Sequence, residues 1–110
     1  MAENNFASRV QTELKTLAEQ EFGQASSVAV NIAIDSGAKF LNRYDAELAD
    51  WQNQLADGDI DEDDLRWLLE SRDDLVALDA LKKEGLTKVV LDNFINQLIE
   101  VIITTAKTAS

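Results

Sequence analysis

Apolar residues recur along the chain at steps of three and four, the spacing that lines one face of an α-helix. In a first segment, expected over residues 4–22, Phe6, Val10, Leu14 and Leu17 share a face from which Glu13, Glu19 and Glu21 are displaced. Gly23 follows, and is expected to close the helix in the left-handed conformation. A second segment, 27–56, places Val30, Ile34, Gly37, Leu41, Tyr44, Leu48, Trp51 and Leu55 on a heptad seam. A helix of that length measures about 45 Å. It therefore either breaks, with Ser36-Gly37-Ala38 as the expected point, or belongs to an elongated, paired molecule. Gly37 lies in the seam itself, where a missing side chain also permits close approach of another helix. Residues 28–34 alternate as a strand would, but no second such run exists to pair with them, so a helix is expected there.

The third segment, 61–84, has marked ends. Asp61 is placed to cap the first turn, and Ile60 and Leu65 have the spacing of a hydrophobic staple. Glu62, Asp63 and Asp64 suit the positive end of the helix dipole, and Lys82 and Lys83 the negative end. Gly85 supplies a left-handed cap, with Leu81 and Leu86 as its apolar contact. A fourth helix, 87–105, then completes a tight C-terminal helical hairpin, and the end from Thr104 to Ser110 is expected to fray. Val90, Leu91, Phe94, Ile95, Leu98, Val101 and Ile102 cover an arc of about 140° on this helix, and Ile99 and Ile103 widen it. One neighbouring helix cannot cover so much, so the fourth helix must lie in a groove between neighbours or at a subunit interface. The fold class read from these patterns is all-α: an elongated bundle of about four helices in one domain over residues 1–110.

Composition removes most chemistry. The chain has no Cys, His or Pro. That excludes disulfides, thiolate and imidazole catalysis, zinc fingers and iron–sulfur sites. The four glycines form no phosphate-binding loop. No catalytic residue, cofactor or metal ligand is assigned, and a non-enzymatic role is expected. With 21 acids against 10 bases the net charge is −11, which disfavours nucleic acid and anionic membranes as partners. Met1-Ala2-Glu3-Asn4-Asn5 does not begin a signal peptide, and a cytoplasmic location is expected.

The acids are unevenly placed. Between Asp57 and Ala80, ten of them face only Arg66 and Arg72. The turn from Asp57 to Asp64 resembles the second half of a calcium loop, but Leu55 stands where a ligand is needed, so a solvated, capped helix start is expected. Asp57, Asp59, Asp61, Glu62, Asp63 and Asp64 are instead candidates for docking on a basic protein. Arg72 and Asp79 fall within the apolar arc of Leu65, Leu68, Leu69, Leu75 and Val76, where a charge must pair or extend its stem to water. Trp67 and Leu78 share a second face, and Trp51 lies on the seam as core. The interface candidates are Trp67, Leu78, Phe94, Leu98, Ile102 and Arg72. The expected function is that of an acidic helical assembly or adaptor protein, dimerising through apolar helix faces. The alternative is a small acidic inhibitor or immunity-type protein that masks a basic surface.

Overall fold

A computed structural model describes residues 5–24, 26–72 and 77–108. Over these residues the chain forms α1 (Asn5–Phe22), α2 (Ser27–Arg43), α3 (Asp45–Asp57), α4 (Glu62–Glu70), α5 (Leu78–Lys83) and α6 (Lys88–Thr108), and no strand. The all-α expectation holds. The helix count differs, because each of the two long central helices is divided.

The first division is at Tyr44, not at Gly37. Helix α2 runs unbroken through Gly37, and the glycine serves the close-approach role: a Cβ there would stand 2.5 Å from Leu14 Cδ2 of α1. The backbone turns at Tyr44 (φ −105°, ψ 22°) because α2 packs on α1 and α5 whereas α3 packs on α4 and α6. A straight helix over the same residues would measure about 46 Å, exceeding the molecule's longest extent of 42 Å. The second division follows α4. There Ser71 and Arg72 leave the helix, and Leu75 and Val76 lie outside the described residues. Since α4 faces α6 and α5 faces α2, one straight helix over 61–84 could not serve both neighbours. The molecule is also more compact than the elongated bundle expected from sequence. The radius of gyration is 13.8 Å, close to the ~13 Å of a compact chain of this length.

Helix α6 lies in a groove formed by α1, α3, α4 and α5. Its broad apolar arc is thereby covered within the chain, with Leu91, Phe94, Leu98, Ile99, Ile102 and Ile103 all buried. The rings of Phe22 and Phe94, 4.8 Å apart, join the end of α1 to the middle of α6. Residues 88–107, at mean hydropathy 1.3, are long and apolar enough to cross a membrane; the apolar half of this helix faces the core. Of the end expected to fray, Thr104 to Thr108 continue the helix, and Ala109 and Ser110 lie outside the described residues. Thr105 and Ala106 are buried, and Lys107 binds Glu62 of α4 at 2.6 Å.

Local signals account for the termini. Ser26 accepts a hydrogen bond from the Ala29 N–H at 3.1 Å and donates to Glu84 at 3.2 Å, tying the start of α2 to the α5–α6 turn. Gly85 takes the left-handed conformation (φ 87°), with Leu81 buried beneath the turn. Gly23 does not: its φ is not positive. Its hydrogen is needed for space, since a Cβ would stand 2.3 Å from the Glu19 carbonyl oxygen that accepts its N–H.

Candidate docking surface

The acidic turn is built by two helix ends meeting. Helix α3 stops at Gly58 (φ 82°, ψ 8°), and the N–H groups of Asp59 and Ile60 both reach the Gln54 carbonyl, at 2.9 and 3.3 Å. Asp61 then starts α4. Its carboxylate accepts the Asp64 N–H at 2.9 Å, and the Asp64 carboxylate accepts the Asp61 N–H at 3.1 Å. This is a reciprocal capping box, with Asp in the place usually held by Glu or Gln. Ile60 is half-buried against the core and Leu65 fully buried, the pairing the staple requires. Replacing Asp61 by Ala should lower stability by about 1 kcal/mol and Tm by about 5 °C. A thermal melt of Asp61→Ala matching the parent would show that the cap contributes nothing.

Folding distributes the docking candidates between two tasks. Asp61 and Asp64 cap the helix, and Glu62 is paired with Lys107. Asp57, Asp59 and Asp63 are exposed. Arg66, which follows them in the sequence, is held by Glu100 of α6, and this hydrogen bond raises the guanidinium pKa above its ordinary value. A raised basic pKa adds stability at every pH below the ordinary value and loses it only in strong alkali, so this pair introduces no dependence near neutrality. Among the described residues no group of three carboxylates is arranged to hold a metal ion.

The interface candidates separate as sharply. Phe94, Leu98 and Ile102 are 0%, 2% and 1% exposed and belong to the chain's own core. Leu78 is half-buried at the start of α5, and the face it was expected to share with Trp67 is lost with the division of the helix. Trp67 is 66% exposed. Its neighbours one turn away are Asp63, Asp64 and Glu70 on α4 and Ser71 at its end, at i−4, i−3, i+3 and i+4, and all four are exposed. An indole on a helix surface is thus rimmed by carboxylates.

Arg72 neither pairs with Asp79, which is exposed, nor simply reaches for water. Its guanidinium carbon stands 5.3 Å from the Tyr44 ring centroid and 5.4 Å from that of Trp51, within range of cation–π attraction to both. Its Nε is buried without a hydrogen-bond partner. Trp51 is buried, in keeping with its place on the seam. The single-sequence pattern shows that Arg72 is anomalous but not what it touches, because Tyr44 lies a full element away.

One feature has no local signal at all. A groove of about 450 Å³ runs between α1 and α6, lined by Arg9, Thr12, Glu13, Glu100, Val101, Thr104 and Thr105. Its walls come from opposite ends of the chain. Thr12 Oγ1 is engaged with the Ser8 carbonyl at 3.1 Å, as a helical threonine commonly is. No protein-family model, curated protein or solved structure matches the chain. The functional reading therefore rests on the chemistry of these surfaces.

Proposed function

We propose that the protein is a non-enzymatic helical binding module that docks on a basic protein through α4, with Trp67 as anchor. This favours the inhibitor or immunity-type reading over an assembly or adaptor protein that self-associates through α6, because the apolar arc of α6 is spent on the chain's own core. The observation that carries the proposal is a large aromatic side chain left 66% exposed among carboxylates. Covering such an indole would remove about 150 Å² of mainly apolar surface, worth about 4 kcal/mol before association costs. An arginine or lysine suits the site best. Its charge meets Asp63 and Glu70, and its cationic head can lie on the indole face. The exposed Asp57 and Asp59 extend the negative field beyond the anchor and would speed encounter with a basic surface.

Titration of Trp fluorescence with an arginine-rich peptide tests the reading. Binding should weaken at least tenfold between low salt and 0.5 M NaCl, as carboxylate contacts are screened, on the order of a Debye length of 4–5 Å at that strength. Binding followed by calorimetry should weaken about 30-fold in Trp67→Ala, whose folding stability should change by less than about 0.5 kcal/mol. Equal affinity of Trp67→Ala and parent for the peptide would reduce the interaction to general charge attraction and refute the anchor.

A further inference from the structure

Residues 27–57 have the pattern of one helix and the shape of two. The bend contains none of the usual causes of a kink: residues 40–48 include no Pro, no Gly and no Ser. Tyr44 also keeps both of its helical hydrogen bonds, donating to the Phe40 carbonyl at 3.0 Å and accepting from the Leu48 N–H at 2.8 Å. The seam of Val30, Ile34, Gly37, Leu41, Tyr44, Leu48, Trp51 and Leu55 passes through the bend without losing register. The segment offers only dipole cues for a division, Arg43 in the last turn of α2 and Asp45 and Glu47 in the first turn of α3, so packing decides the bend. It divides the fold into α1–α2 on one side and α3–α6 on the other, joined in the chain at a single non-helical residue.

We propose that Tyr44 is a hinge through which two copies of this chain exchange their α1–α2 units. In the exchanged dimer α2 and α3 form one straight helix, and α1–α2 of each copy occupies against the partner's α5 and α6 the place it holds at home in the monomer. Every contact between the two units is then remade between chains, which is why exchange through a short hinge is a low-cost route to a dimer. Straightening also gives Tyr44 a regular helical backbone in place of φ −105°, ψ 22°. The second copy is the fitting occupant because a straight helix outreaches a single molecule's 42 Å extent and needs another copy to cover its seam. Arg72 opposes the exchange. Its guanidinium stands 5.3 Å from the ring of the hinge residue Tyr44 in the bent form, a contact that straightening moves, whereas its contact with Trp51 lies within the α3–α6 unit and survives exchange.

The test is to unfold the full chain, refold it at micromolar and at millimolar concentration, and separate the products by size with light scattering. The chain has no native Cys, so nitroxide labels can be attached at cysteines replacing the exposed Asn31 and Asn53. Labelled chain is diluted into unlabelled chain so that only distances within one chain are read. Refolding at millimolar concentration should yield a dimer that persists on dilution, with the labelled positions about 33 Å apart, the span of a straight helix, and a shorter distance in the monomer. Arg72→Leu should raise the dimer fraction severalfold. A dimer with the monomer's label distance, or no dimer from the parent chain at millimolar concentration, overturns the hinge; an unchanged dimer fraction in a folded Arg72→Leu chain overturns the role given to Arg72. The label distance is read on a chain that retains Arg72, so the hinge is decided even where Arg72→Leu fails to fold.

Discussion

Phe94→Ala should remove about 3–5 kcal/mol of folding free energy, out of a total of about 5–15 kcal/mol for a domain of this size. The residue is 0% exposed, and its ring stands 4.8 Å from that of Phe22. Truncation leaves a cavity between α1 and α6 that neither rigid helix can collapse to fill. A loss of that size lowers Tm by roughly 15–25 °C. The concentration dependence of the melt identifies where the side chain is buried. If Phe94 is covered by its own chain in the monomer, the loss is the same across a tenfold range of micromolar protein, below the concentrations at which copies exchange. Were it covered by a second subunit, Tm would rise with concentration and the deficit would shrink, and the placement of α6 in an intramolecular groove would be wrong.

Gly37→Leu is the second large effect expected, a loss of about 2–3 kcal/mol. A Cβ alone would meet Leu14 Cδ2 at 2.5 Å and Cδ1 at 3.3 Å, and Leu14 is 1% exposed within the α1–α2 contact. The added bulk must push α1 away from α2, against a gain of about 1 kcal/mol from replacing a helical glycine. Gly37→Ala balances that gain against a single methyl contacting the tip of one side chain, and should lie near neutral. The decisive measurement is a urea-denaturation cycle with Leu14→Ala, which removes the obstructing methyl groups. The double variant should be more stable than the sum of the two single losses implies, by at least about 1 kcal/mol. Strict additivity would mean that residues 14 and 37 do not share the space between α1 and α2.

Both effects were partly legible in the sequence. Gly37 stands on the apolar seam, so the absence of its side chain had to matter, either as a break or as a close approach. The choice between them required the position of Leu14, which is set by how α1 crosses α2. Likewise the width of the α6 arc showed that more than one neighbour must cover it. It did not show whether those neighbours belong to the same chain.

The features that depend on a few adjacent residues follow from the sequence alone. The stripe of Phe6, Val10, Leu14 and Leu17 marks the buried face of α1, Asp61 starts α4, and Gly85 ends α5. Each rests on hydrogen bonds or side-chain spacings within a turn or two, so the local code suffices. Residues brought together from distant parts of the chain were not accessible in this way: the bend at Tyr44, the stacking of Arg72 on Tyr44 and Trp51, and the pairing of Arg66 with Glu100. A long apolar seam is satisfied equally by a straight helix with an outside partner or by a bent one wrapped on its own chain. Only the tertiary structure chooses between them, because the choice depends on which surfaces compete to cover the seam. That same competition leaves Trp67 at the surface while Phe94, equally apolar by sequence, is enclosed.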